Sequence, residues 1–219
     1  MRAGSLRQAR WQPHVNGVNP PPAMRHWLTG AASLTAKLKA CSRVFRVECL
    51  HQRSARCLAD EAAALGLARP GRVREREVLL RCDNKAMVFA HTVVPVTATA
   101  ADWPLFSALG NASLGSTLFG DRQVRRGTLE FARLKEGHPL LLRARAALGA
   151  GAGSVLYARR CLYRRNRGTL LVTEVFLPSI LELTDSVLTD CVLADNVPAD
   201  KVVADYCAVE TAVDELIKL

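Results

Sequence analysis

Nine residues, Leu170-Leu171-Val172-Thr173-Glu174-Val175-Phe176-Leu177-Pro178, form the most constraining stretch of the chain. They are almost unbroken in apolar and β-branched character, the pattern of a strand covered on both faces. Side chains alternate along a strand, so Leu170, Val172, Glu174 and Phe176 share one face. Glu174 is therefore a carboxylate at a core position, where an unpartnered charge costs several kcal/mol or is forced to protonate. A second oddity lies in Arg74-Glu75-Arg76-Glu77-Val78-Leu79-Leu80-Arg81-Cys82. Read with period two, Arg76 falls on the same face as Val78, Leu80 and Cys82. One strand offers an inward cation and another an inward anion. They form either a structural buried ion pair or the walls of a small-molecule pocket. In the pocket, Arg76 would take a carboxylate, and Glu174 a hydroxyl or a proton.

At 219 residues and 49% hydrophobic, the chain can bury one good core. It has no run of eighteen apolar residues to span a membrane, and no apolar segment follows Arg2, Arg7 and Arg10 to make a secretory signal. The seven cysteines include no CxxC pair, and the five histidines show no metal-binding spacing. Reduced thiols, a cytoplasmic location and no metal are expected. The net charge of +10 hides an asymmetry, since nine of the 20 acids lie between Glu182 and Leu219 beside only two lysines. The basic body should attract anions. Nucleic acid is disfavoured as the anion, because no basic–aromatic stripe or binding motif is present.

In chain order, residues 1–23 read as a disordered basic leader ending at Pro20-Pro21-Pro22. Trp27, Ala31, Leu34 and Leu38 have helical spacing with a break near Gly30, and Leu34 reads as plain core. A strand over Arg43–Leu50 precedes a short helix from Asp60, its cap, to a stop at Gly66. The Arg76 strand turns at Asp83-Asn84-Lys85 into a partner from Met87 to Val96, in which His91 reads as structural. Asp102-Trp103-Pro104 should start a helix that Gly110 ends, and Ser113 should cap another. Leu129, Phe131 and Leu134 suggest a further element. Ala146–Gly153 reads as a flexible loop between strands. Val155–Arg164 is a strand on which Arg159 and Arg160 point opposite ways, so at most one faces the pocket. After residue 180 comes an acidic tail whose acids recur every five residues from Asp185 to Glu215, a spacing with no physical account.

Taken together, these segments resemble the chorismate pyruvate-lyase family, which makes 4-hydroxybenzoate for ubiquinone biosynthesis. The resemblance runs through Trp27-Leu28-Thr29, Ser33-Leu34-Thr35, Phe45-Arg46-Val47, Arg76-Glu77-Val78-Leu79-Leu80 and Thr92-Val93-Val94-Pro95. It continues through Leu109-Gly110, Leu114-Gly115, Leu118-Phe119, Arg159-Arg160 and Leu170–Pro178. These fragments keep the family's order over about residues 24–180. The resemblance implies an α+β fold: an antiparallel sheet whose helices and flaps enclose an internal ligand cavity. It implies a monomeric lyase without cofactor or metal that converts chorismate to 4-hydroxybenzoate and pyruvate. Arg76 would bind the ring carboxylate and Glu174 the para hydroxyl, as a protonated acid if its surroundings are apolar. Backbone groups at Leu34 and Leu114 would line the site. Arg74 and Ser113 depart from the family pattern, as do the Gly-Ala loop and the tail. The rival readings are a hydroxybenzoate-binding or effector-sensing domain of the same fold without catalysis, and a basic nucleic-acid binder.

Overall fold

The computed structural model describes residues 8–30, 33–98, 102–148 and 153–183. The acidic tail from residue 184, and residues 149–152 of the expected Gly-Ala loop, lie outside the described residues. The architecture is α+β. Six strands form one antiparallel sheet in the order β1-β2-β3-β6-β5-β4. They are β1 (Phe45–Arg56), β2 (Arg72–Cys82), β3 (Lys85–Pro95), β4 (Arg125–Lys135), β5 (Val155–Arg165) and β6 (Gly168–Phe176). The Leu170–Phe176 run becomes β6, held between β3 and β5, which explains its apolar character on both faces. Asp83 and Asn84, at φ +48° and +71°, make the two-residue turn between β2 and β3. Asn and Asp tolerate this left-handed geometry better than most residues.

Helices cover both faces. On one side lie α1 (Pro22–Thr29), α2 (Leu34–Ala40) and α4 (Leu114–Gly120). Trp27, Leu28 and Leu38 pack there against Val78, Leu80, Val88 and Phe176. On the other lie α3 (Ala59–Ala64) and α5 (Pro139–Leu148). Leu140, Leu141 and Ala144 of α5 pack on Leu79, Phe89 and Val175, while Ala62 and Leu65 meet Val93 and Leu171. The break between α1 and α2 falls where Gly30 placed it. No helix among the described residues is long and apolar enough to cross a membrane.

Several local expectations are corrected. The leader is not disordered from residue 8 onward. Gln12 exchanges two backbone hydrogen bonds of 2.8 Å with Phe131 on the edge strand β4, and Val15 and Val18 are buried. Trp11 donates to Asp60 at 2.9 Å and lies 4.3 Å under the Arg160 guanidinium. The segment thus wraps an otherwise open sheet edge, and Pro22 opens α1 at its first position, where proline fits. At α3 the cap is Leu58, not Asp60, and Glu61 reaches back to the Leu58 amide at 2.8 Å. Pro104–Ala108 is a 3-10 helix entered from Trp103, without an Asp102 side-chain cap. Ser113 precedes α4, but its hydroxyl makes no cap bond and meets Thr35 Oγ1 at 3.1 Å. Ala146–Leu148 are the last turn of α5, a helix missed because its apolar residues Leu140–Leu142 run consecutively.

The face bearing α3 and α5 holds a buried polar network. His91 lies between Glu61, 2.9 Å from Nε2, and Glu77, 3.0 Å from Nδ1. Arg143 bridges Glu75 and Glu77 at 2.8 and 2.7 Å. His51, Glu75 and Glu77 come within 4.8 Å of one another, and Arg143 already supplies a cation to both carboxylates. Burial opposes charging of His91, but the two carboxylates outweigh it and hold its pKa at about 9. This folded value lies above the ordinary 6.5, so the stabilisation is complete below about 6.5 and is lost as pH rises through about 9. The melting temperature should therefore fall between those limits, and His91→Gln should flatten that fall. Equal slopes for the two proteins in thermal unfolding across the range would refute this assignment.

Candidate functional site

The site lies on the sheet face under α2 and α4, and alternation decides what enters it. Arg76, Val78 and Leu80 project from β2, with Val172 and Glu174 from β6, into one cavity of about 60 Å³. Leu34 and Leu114 close it, each the first residue of its helix, where backbone amides have no intrahelical acceptor. All four residues singled out from the sequence thus meet around one space. Leu34 is buried as a core residue would be, and also lines the cavity. His91 points to the opposite face and is absent from the cavity wall.

Arg76 and Glu174 do not pair with each other. The register aligns Arg76 with Thr92, and Thr92 with Val172, two residues along β6 from Glu174. Two strand spacings and two residues put their Cα atoms roughly 12 Å apart. Arg76 Nη2 donates to the Gly110 and Ala112 carbonyls at 2.9 and 2.8 Å, which fixes the loop before α4. Its Nε is buried without a hydrogen-bond partner, and no described carboxylate bridges the guanidinium. Burial pushes its pKa below the ordinary arginine value. An arginine nevertheless keeps its charge, so a cation faces the cavity with donor capacity to spare.

Glu174 takes Arg159 instead. The two lie directly opposite on β6 and β5, and Arg159 Nε donates to Glu174 Oε2 at 2.5 Å. The Arg159 guanidinium is thus the partner that a carboxyl group at this core position requires. Arg159 Nη1 also reaches the Leu28 and Gly30 carbonyls at 3.2 and 2.9 Å, at the end of α1. Arg160 faces away, to Glu130 at 2.8 Å. Alternation showed that only one of these arginines could enter the site. Which one did, and that it would claim Glu174, needed the cross-strand register.

Residues 5–185 match the family model described as chorismate lyase. The chain belongs to the chorismate lyase family. A probable chorismate pyruvate-lyase of Ralstonia nicotianae is 49% identical over 172 residues, covering 75% of this chain and 88% of that protein. One from Cupriavidus metallidurans is 46% identical over 176 residues, covering 80% and 82%. Among solved structures, the effector domain of PhnF from Mycobacterium smegmatis aligns with TM-score 0.48 and 17% identity, over 68% of this chain and 90% of that one. The family match begins upstream of Trp11, in keeping with the packing of the N-terminal segment.

Within this lyase-family chain, removing Arg159 takes from Glu174 its guanidinium partner. Arg159→Leu should destabilise the fold by about 3 kcal/mol. The double substitution Arg159→Leu with Glu174→Leu should recover most of that loss in urea unfolding. A single-variant loss below about 0.5 kcal/mol would show that the pair is no structural tie.

Proposed function

We propose that the cavity converts chorismate to 4-hydroxybenzoate and pyruvate, with Arg76 and Glu174 as the side chains that contact the ring substituents. The observation that carries this reading is Arg76: a guanidinium buried beside an apolar cavity, its Nε without a partner and no described carboxylate opposite. Such a charge is costly unless a ligand supplies an anion. The ring carboxylate of chorismate would meet Arg76, and the ring hydroxyl would meet Glu174 across the cavity. Arg159 occupies Oε2, so Oε1 would accept from the hydroxyl.

The reaction balances without an added reagent. The ring carbon bearing the hydroxyl loses its hydrogen and the neighbouring carbon–oxygen bond to the enolpyruvyl group breaks. The methylene carbon of that group gains a hydrogen, yielding pyruvate. Aromatisation drives the step, so the residues need to hold the reactive pose, exclude water and stabilise the shifting charge. Leu34 and Leu114 would contribute first-turn amides and apolar cover. Thr35 and Ser113, bonded at 3.1 Å, join the starts of α2 and α4 above the ligand. That cover would retain the flat product and slow its release. The para isomer is the product that places the hydroxyl opposite the carboxylate, as Arg76 and Glu174 are placed. The chain would thereby supply 4-hydroxybenzoate for ubiquinone synthesis.

Protein incubated with chorismate, without added metal or nucleotide, should release 4-hydroxybenzoate and pyruvate in equal amounts by chromatography. Arg76→Gln should lower kcat/KM by about a hundredfold or more and weaken product binding comparably. A 3-hydroxy product would revise the ligand's orientation. Absence of turnover, with 4-hydroxybenzoate still bound in calorimetry, would favour the effector-sensing reading.

A further inference from the structure

Past Glu174 the site continues into a second chamber of about 20 Å³. This chamber adds Arg126 and Arg159 to the wall, and shares Glu174, Tyr163 and Val172 with the larger space. Arg126 reaches it through an irregularity in β4. Leu129 pairs with Cys161, and Phe131 with Arg159, on the cavity face. Simple alternation from Leu129 would send residue 127 to that face and Arg126 away. A register shift between Arg126 and Leu129 instead sets Arg126 opposite Tyr163, which turns its side chain inward, as bulges do. Gly127 makes the shift feasible, because a Cβ there would lie 2.8 Å from the Leu162 carbonyl oxygen.

The charge count points to the occupant. Side chains lining the two chambers include three guanidiniums, Arg76, Arg126 and Arg159, against one carboxylate, Glu174. A site with a guanidinium in each of two adjoining chambers suits a ligand with two separated anionic groups. A hydroxybenzoate carries one negative charge, whereas chorismate carries two carboxylates on opposite parts of the molecule. We propose that Arg126 binds the carboxylate of the three-carbon enolpyruvyl group, so that the substrate is held at both ends, by Arg76 in the larger chamber and Arg126 in the smaller. This assignment rests on the chorismate reading above. Tyr163, driven well above its ordinary pKa by burial, stays a neutral hydroxyl beside Arg126. After cleavage the two products would lie in different chambers, each carboxylate on its own arginine.

The test separates substrate from product. Arg126→Gln should lower kcat/KM for chorismate by about a hundredfold. The calorimetric Kd for 4-hydroxybenzoate, which lacks the second carboxylate, should stay within about twofold of wild type. Unchanged product binding also shows that the variant is folded. Should the glutamine variant not fold, Arg126→Lys keeps the charge but loses the planar fork, and should show a smaller loss on chorismate with the same unchanged product affinity. Wild-type turnover followed by equal losses of substrate and product affinity in a folded variant overturns the assignment. So does a variant kcat/KM within about twofold of wild type. Failure of the wild-type protein both to bind and to convert chorismate overturns the chorismate reading, and this assignment falls with it.

Discussion

The contact between Arg159 and Glu174 sets the state of the whole site. Glu174 lies on a face otherwise built for core packing, and the nearest strand position across the ladder gives it a guanidinium. Had Arg76 been that partner, the inward cation and anion would have neutralised each other. Because Arg159 answers Glu174, Arg76 keeps its charge for the cavity. Arg159 also donates to carbonyls at the end of α1, where terminal carbonyls need donors from outside the helix. One side chain thus pairs the acid, anchors the end of α1 just before α2 and leaves Arg76 facing the cavity.

Period-two alternation separates chemistry from stability across the sheet. Arg76 enters the cavity while its neighbours Glu75 and Glu77 join His91 and Arg143 on the opposite face. Arg159 enters the site while Arg160 clamps Trp11 and Glu130 on the far side. A basic, arginine-rich sequence is thereby divided. One set of charges is paired on the far face, and the other lines the cavity. Arg126 belongs to the second set only because the β4 ladder slips.

Much of the sheet was legible. Strands β3 and β6 announce themselves as apolar runs with β-branched residues, β2 and β5 show charged and apolar residues in partial alternation, and the turn at Asp83-Asn84 is marked by residues that accept positive φ. The cavity's four residues came from two inward charges together with a family resemblance. The N-terminal segment was misread because its composition is that of a solvated leader. Its order comes from Trp11, Val15 and Val18 finding surfaces made by distant strands and helices. Helix α5 was missed because the exposed Leu142 blurs the helical spacing of Leu140, Leu141, Ala144 and Leu148, and only burial against Leu79 and Phe89 picks out the inward face.

The sequence by itself determined that a cation and a carboxylate would face inward from two strands. Side-chain alternation is a local property of extended backbone, and the apolar neighbours mark the buried face. It also determined that only one of Arg159 and Arg160 could share that face. The tertiary structure alone decided which charges meet. Pairing depends on strand order and register, which bring β5 beside β6, set Arg159 against Glu174 and turn Arg126 inward at a bulge. These are relations between segments far apart in the chain. No local pattern encodes them, because they follow from how the two covered faces of the sheet close around one core.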